Sequence, residues 1–325
     1  MTAGRTEGST AGRSEGHAEG RIAVIGAGAI GLLYAGRLAR VAATPPLLVT
    51  RRVALLPALR AGITIVLPDG SQLNCPGADA RLEAQVEAGS CDLALIAVAA
   101  YDTPWAARQA GLLLRPGGPA ITVQNGLDNR AELAAVLGAE RALQGATSFP
   151  TSSPQPAVAQ LSGQGATWLP TLPADLAWLP ALLERAGLVP LHVANPDELA
   201  WHKIAIGLNG FVCLALAKPL GEVVTSPAAR ALVLRAAHEV IDVAAAHGAS
   251  LDHAAMEPAL QQSWASCSPG SLSSIYADYL ADKHTELEER LGAVVRRARD
   301  RQVAAPTLES LYDMAKARLE LESRT

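Results

Sequence analysis

Short apolar runs alternate with helical patterns in the first part of the chain. Four of these runs are continuous and bounded by turn residues, as is typical of strands buried on both faces of a parallel sheet. They are RIAVIG at 21–26, PLLVT at 46–50, DLALIAV at 92–98 and AITVQ at 120–124. Helices are predicted between strands over 29–41 and 103–114, and GITIVLPDGSQLN at 62–74 predicts a hairpin that turns at Asp69 and Gly70.

The character of the sequence changes near residue 195. Residues 142–193 are strand-like with one helix near 175–186, whereas 196–325 shows helical patterns interrupted by prolines. The tetrapeptide NPDE at 195–198 is a typical helix start, with acidic side chains in the first turn. We therefore predict an α/β protein, with an N-terminal doubly wound sheet over 21–195 and an all-helical C-terminal domain over 196–325.

Composition narrows the function classes and the location. Residues 1–20 contain no Ile, Leu, Val or Phe, so we predict a disordered tail there. The formal net charge is −4 at pH 7 with no long basic run, which argues against a nucleic-acid partner. The longest strongly apolar stretch, 204–217, is about fourteen residues, and a membrane helix needs about twenty. We therefore expect a soluble cytoplasmic protein.

The cysteines bear on redox state and metal binding. All four lie far apart, without the spacing of a zinc site or of a disulfide framework. They are Cys75, Cys91, Cys213 and Cys267. This pattern predicts reduced thiols and no metal site.

A glycine-rich loop follows the first predicted strand and opens the first predicted helix. It has the pattern G-x-G-x-x-G and comprises Gly26, Ala27, Gly28, Ala29, Ile30 and Gly31. Such glycines allow a tight turn, close backbone approach to a pyrophosphate and close packing of helix on strand. The loop thus predicts a Rossmann-type dinucleotide-binding domain; the alternative is a glycine turn without a ligand.

The end of the second strand discriminates between cofactors. NAD-binding sites usually place an acidic residue there, to hold the ribose 2′-hydroxyl. Here LLVTRR ends in Arg51 and Arg52 with no acid. Guanidinium groups suit a 2′-phosphate, so NADPH (NADP) is the predicted cofactor. The alternative is that both arginines are merely solvated.

Lys203 and Glu286 are the candidate catalytic residues. Lys203 lies beside the most apolar part of the helical region, in a chain with only four lysines. Such a lysine is either extended to water or placed for chemistry. Glu286 lies within Thr285-Glu286-Leu287-Glu288, which fits a capping box with Thr285 as N-cap. Taken alone, each residue is more often structural.

An ordered set of motifs resembles the ketopantoate reductase (2-dehydropantoate 2-reductase) family. After the glycine loop come QNG at 124–126, WHK at 201–203, SSIYAD at 273–278 and KHTE at 283–286. The resemblance covers roughly 21–320. It implies an NADPH-dependent reduction of ketopantoate in pantothenate biosynthesis.

The resemblance also implies residue roles. Lys203 looks like the lysine that donates a proton to the substrate carbonyl oxygen, and Glu286 resembles the glutamate that positions substrate and cofactor. Asn125 matches an asparagine near the nicotinamide ribose, and Thr151 matches more loosely a second passage of the chain by the cofactor. Ser274 falls on the serine that contacts substrate.

The chain departs from this family at several positions, and two further family asparagines fall near Gly210 or Phe211 and at Leu220. Ala99 stands where the family usually has a lysine, and Gly207 stands where it usually has a substrate-binding asparagine. Gly207 and Gly210 share the Lys203 face of the helix. We therefore predict an open face with room for a bulkier or less polar carbonyl substrate, and Gly207 and Asn209 are candidate substrate-binding residues. The alternative is that these glycines allow close helix packing.

Three functions follow as hypotheses. The first is an NADPH-dependent reductase of a 2-oxo acid or related ketone, with ketopantoate as the default substrate. The second is a relative that reduces a bulkier carbonyl or an imine in secondary metabolism. The third is an NADP-binding regulator without turnover. The apolar content of the helical region favours a homodimer.

Overall fold

A computed structural model describes residues 19–265 and 267–322. Most of the predicted disordered tail, 1–18, lies outside the described residues. Its last two residues are described, and Glu19 accepts a hydrogen bond from the Ala43 backbone at 3.1 Å and pairs with Arg185. Glu19 therefore lies against the first domain.

Thirteen strands are described, and all of them lie before residue 195. They are β1 (Ile22–Ile25), β2 (Leu47–Thr50), β3 (Ile63–Val66), β4 (Gln72–Cys75), β5 (Asp79–Leu82), β6 (Leu93–Ile96), β7 (Ala120–Thr122), β8 (Ala142–Gln144), β9 (Ala146–Thr147), β10 (Thr151–Ser152), β11 (Val158–Leu161), β12 (Thr167–Leu169) and β13 (Pro190–His192).

Twelve α-helices are described, and the seven from α6 onward form the second domain. They are α1 (Ala29–Ala39), α2 (Leu56–Ala61), α3 (Thr103–Leu113), α4 (Asn129–Leu137), α5 (Leu179–Arg185), α6 (Pro196–Leu216), α7 (Leu220–Val223), α8 (Pro227–Ala246), α9 (His253–Ala265), α10 (Ser274–Leu280), α11 (Ala293–Asp300) and α12 (Pro306–Glu322).

The central sheet is parallel throughout and has the order β5-β2-β1-β6-β7-β8. Val24 of β1 is in register with Leu48 of β2 and Leu95 of β6, and all three side chains are almost fully buried. Apolar clusters lie on both faces of the sheet. The doubly wound architecture predicted from the continuous apolar runs is confirmed.

Two smaller sheets extend the first domain, with the orders β10-β11-β3-β4 and β13-β12-β9. The predicted hairpin is present, because Val66 of β3 pairs antiparallel with Gln72 of β4. Gly70 in its turn has a φ of +82°, a conformation that glycine adopts without a steric penalty. The sequence analysis missed β5, which carries charged side chains at two of its four positions and forms an edge of the central sheet.

Helix α6 begins as predicted, with the Asn195 side chain accepting a hydrogen bond from the Glu198 backbone. It packs against α8, α10 and α12. This helix has 21 residues, and an 18-residue window within it has a mean hydropathy of 1.5, so by length and composition it could cross a membrane. The argument from a fourteen-residue stretch was therefore too simple. Most of the helix is buried inside the second domain, with Phe211 fully enclosed, and this burial accounts for its hydropathy.

We predict that Leu48→Ala lowers the free energy of unfolding by about 2–5 kcal/mol, because a fully buried leucine leaves a cavity in a packed sheet. Urea denaturation would measure the loss. The matched control is Leu112→Ala, at a leucine of α3 that is 54% exposed, where a change within about 0.5 kcal/mol is expected. Equal losses in the two variants would contradict this account of the core.

Candidate active site

The glycine loop lies at the carboxyl end of β1, where the predicted cofactor residues come together. Gly26 has a φ of +113°. A Cβ on Gly31 would lie 1.8 Å from the Gly26 carbonyl oxygen, so only glycine fits there. A Cβ on Gly28 would meet nothing within 4 Å. The loop is thus closed towards the protein and open at Gly28, at the start of α1, as a pyrophosphate site requires.

Both arginines after β2 are held beside this loop. Arg52 donates a hydrogen bond to the Ala27 carbonyl oxygen at 2.7 Å. Arg51 pairs with Asp102, and its guanidinium lies 4.8 Å from the centre of the Trp105 ring. Asp102 and Trp105 follow β6, so Arg51 joins the ends of β2 and β6, whereas Arg52 joins the ends of β2 and its neighbour β1. They are positioned side chains rather than freely solvated ones.

Asn125 lies at the end of β7, and the side chain of the preceding residue fixes that segment. The Gln124 amide donates to the Val98 carbonyl oxygen at 3.0 Å and to the Thr103 hydroxyl at 2.9 Å. The Asn129 side chain donates to the Asn125 carbonyl oxygen at 2.8 Å. These bonds tie the strand ends of β6 and β7 together. The sequence analysis singled out Asn125 but missed the positioning role of Gln124.

Lys203 reaches from the second domain into the first. Its ammonium donates a hydrogen bond to the backbone carbonyl oxygen of Thr147, the last residue of β9. Thr147 is buried and lies against Tyr34 of α1, the helix that the glycine loop opens. The lysine amine therefore lies in the seam between the two domains. Thr147 was not among the predicted site residues, because its contribution is a backbone carbonyl.

Burial, together with the positive charge of Arg290, lowers the pKa of Lys203 from 10.5 to about 7. The amine therefore changes charge near neutral pH. Since its folded pKa lies below the unfolded one, the energetic penalty of burying the ammonium is fully present below about pH 7. That penalty disappears as the pH rises past 10.5.

Glu286 joins the two domains at a second point. Its Oε1 accepts a hydrogen bond from the Ala100 backbone at 2.7 Å, just beyond β6. Its Oε2 lies 3.7 Å from Nη1 of Arg290, which is 5% exposed. Arg290 also acts electrostatically on Lys203. The structure thus links Lys203 and Glu286 through Arg290, a residue that the sequence analysis did not single out.

The open helix face predicted at Gly207 and Gly210 is wrong. A Cβ on Gly207 would lie 2.7 Å from Nη2 of Arg290, so the guanidinium fills the space beside this glycine. A Cβ on Gly210 would lie 3.2 Å from the Ile275 side chain. The glycines admit neighbouring side chains instead of creating spare volume.

Three other predicted residues have contacts or exposure of their own. Asn209 is buried; its side chain accepts from the Trp264 indole at 2.8 Å and donates to the Ile206 carbonyl oxygen at 2.8 Å. These bonds hold the Asn209 side chain in the core of the second domain, which contradicts its predicted role in substrate binding. Ser274 is exposed at the start of α10, and its neighbour Ser273 caps that helix. Thr151 lies in β10 and bonds to the Phe149 carbonyl oxygen.

The predicted capping box at Thr285 is also wrong. Regular helix does not start there; a π-helical turn spans Glu288–Gly292 and leads into α11. Such wide turns are frequent at functional sites. Here the turn begins two residues after Glu286 and contains Arg290, so it helps to direct both side chains towards the contact between the domains.

Comparison with known proteins agrees with this geometry. The family model for ketopantoate reductase PanE/ApbA matches residues 22–174, and the model for its C-terminal part matches residues 196–319. The chain belongs to the ketopantoate reductase family. A 2-dehydropantoate 2-reductase of Halobacterium salinarum is 31% identical over 262 residues, which is 78% of this chain and 84% of that protein.

Solved structures share the fold. A ternary structure of D-mandelate dehydrogenase with NADH and anilino(oxo)acetate has a TM-score of 0.82 at 20% identity and covers 92% of this chain and 97% of its own. A 2-dehydropantoate 2-reductase from Geobacter metallireducens has a TM-score of 0.81 at 23% identity and covers 91% and 99%. These likenesses confirm the two-part architecture of the family.

We predict that Lys203 titrates near pH 7 in the ligand-free protein. The measurement is an NMR titration of ¹³C-labelled lysine, following the Cε signals of a chain with only four lysines. Lys203→Met identifies the signal by its disappearance. Exposed Lys218 and Lys316, whose acidic or phenolic partners raise their pKa values, are internal controls. A Lys203 signal that titrates with theirs would contradict the assigned burial of the amine.

Proposed function

We propose that this protein is an NADPH-dependent reductase of a 2-oxo acid or related ketone, with ketopantoate as the default substrate. The observation that carries the proposal is the buried Lys203 amine, with a pKa of about 7, in the seam between the two domains. A group that titrates near neutral pH is suited to give up a proton at physiological pH.

The chain's own residues fit a bound nicotinamide cofactor. The open position at Gly28 and the N-terminus of α1 would receive the pyrophosphate. Arg51 and Arg52 would hold a 2′-phosphate, and Asn125 would lie towards the nicotinamide end. When bound, NADPH supplies the hydride for the carbonyl carbon.

Lys203 would act on the oxygen of the same carbonyl. Reduction of a ketone generates negative charge on that oxygen, and a nearby ammonium both stabilises the charge and transfers a proton to it. The Thr147 carbonyl oxygen accepts a hydrogen bond from the amine and so orients it. Glu286, anchored on the Ala100 backbone, would hold the second domain against the first while the seam excludes water.

The alternative of a bulkier carbonyl or imine loses its main support, because Arg290 and Ile275 fill the face that was to give extra room. An NADP-binding regulator without turnover would need neither the titrating amine nor its carbonyl partner. The cytoplasmic location and the homodimer remain predictions.

We predict that Lys203→Ala reduces kcat for ketopantoate reduction by about a hundredfold to ten-thousandfold, since a positioned general acid contributes that much. NADPH consumption followed by absorbance would measure it, and calorimetry should show NADPH binding within about threefold of wild type. Lys218→Ala, at an exposed lysine paired with Glu222, is the control and should keep full activity. Undiminished turnover in Lys203→Ala would defeat the mechanism; NADPH binding by wild type without turnover of any carbonyl would favour the regulator.

We also predict that Arg51→Ala and Arg52→Ala each raise the Kd of NADPH by about tenfold to hundredfold, because each removes a charge-assisted contact to the 2′-phosphate. The Kd of NADH, which lacks that phosphate, should change by less than about threefold. Calorimetry measures both constants. Arg108→Ala, at an exposed arginine of α3, is the matched control. Equal losses for the two cofactors would remove the phosphate role.

A further inference from the structure

Arg290 is a buried cation whose hydrogen-bonding capacity is largely unused. Its side chain is 6% exposed. Within the described part of the chain, its Nε and Nη1 atoms are buried without a hydrogen-bond partner. The nearest carboxylate oxygen, Oε2 of Glu286, lies 3.7 Å from Nη1, which is an ion pair but not a hydrogen bond.

The residues around Arg290 form a space that the guanidinium fills. Its central carbon lies 5.5 Å from the centre of the Phe211 ring, in a cation–π contact. Its Nη2 occupies the space where a side chain at position 207 would begin. Gly207 and Phe211 both lie on α6, four and eight residues after Lys203, so Arg290 covers the face of α6 that carries the catalytic lysine.

This arrangement is unfavourable in the absence of a ligand. The Nε and Nη1 atoms of Arg290 are strong donors left unsatisfied in a buried site, and the positive charge of the guanidinium opposes the protonated form of Lys203. An arginine offers planar donor geometry that suits a carboxylate. A carboxylate placed at Arg290 would satisfy these donors and offset the repulsion between the two cations.

We propose that Arg290 binds the carboxylate of the substrate, and that Gly207 makes room for the guanidinium to do so. This inference rests on the proposed function and deepens it. The enzyme is specific for 2-oxo acids, in which a carboxylate adjoins the ketone, so that Arg290 holds the acid group while Lys203 reaches the carbonyl oxygen. Neutral ketones of the same size lack the group that Arg290 recognises.

Binding of the acid also favours the protonated form of Lys203, which is the form that donates the proton. A carboxylate at Arg290 screens the charge that opposes the lysine ammonium, so the proton stays on Lys203 until the carbonyl oxygen takes it. A neutral ketone leaves that repulsion in place. Selection for the acid therefore occurs in binding and again in the protonation state of the lysine.

The test compares ketopantoate with its neutral lactone in wild type and in Arg290→Met. We predict that Arg290→Met raises KM for ketopantoate by about tenfold to hundredfold, with kcat/KM for the lactone changed by less than about threefold. Arg290→Lys should restore part of the preference for the acid. The control is Arg299→Met, at an exposed arginine of α11 paired with Glu309, and it should match wild type on both substrates.

Equal losses on the acid and on the lactone would overturn the proposal and leave Arg290 as a structural residue. Thermal unfolding checks the fold of the variants, because Arg290→Met removes the ion-pair partner of Glu286. Should Arg290→Met fail to fold, Gly207→Ala is the second variant, because its Cβ would displace Nη2 of Arg290. It should show the same selective loss on the acid.

A binding measurement separates this proposal from the proposed function. If wild type turns over neither substrate, calorimetry of ketopantoate on the NADP-bound protein still tests Arg290. At least tenfold weaker binding in Arg290→Met than in wild type supports the carboxylate contact. Equal affinities, or no binding to wild type, overturn it.

Discussion

A lysine amine buried between two domains is the constraint on which the site depends. Lys203 is supplied by the first turns of a helix that forms the core of the second domain, and its hydrogen-bond acceptor is a backbone carbonyl at a strand end of the first. Neither domain alone could bury and orient this amine. The depressed pKa is therefore a property of the interface between the domains, and the chemistry requires both.

The first domain contributes strand ends and backbone, and the second contributes side chains. The carboxyl ends of β1, β6 and β7 present the glycine loop, the Ala100 amide and the Asn125 segment along one edge of a parallel sheet. Ligands of open α/β sheets bind at this edge. The helical domain meets this edge with Lys203, Glu286 and Arg290, and in the proposed function cofactor and substrate bind where the two sets of groups converge.

Arg290 shows how a residue suited to ligand binding can lower the stability of the folded protein. A buried guanidinium with unsatisfied donors reduces stability, yet in the proposed role it suits the site to an anionic ligand. Gly207 is needed for this placement of Arg290, because any side chain at position 207 would collide with Nη2 of Arg290. The two residues are separated by more than eighty positions in the chain and meet through packing of the π-helical turn against α6.

The sequence by itself determined the architecture and the glycine loop, because these depend on local periodicity and on glycines that the backbone requires, whereas Lys203 was singled out through the resemblance to a family. The continuous apolar runs of β1, β2, β6 and β7 are typical of strands buried on both faces. The tertiary structure alone decided what fills the space beside Gly207, that Asn209 serves the core, and that Thr147 offers its carbonyl to Lys203. Side-chain spacing cannot reveal such contacts, since they join residues far apart in the chain and, for Thr147, involve a backbone atom that every residue carries.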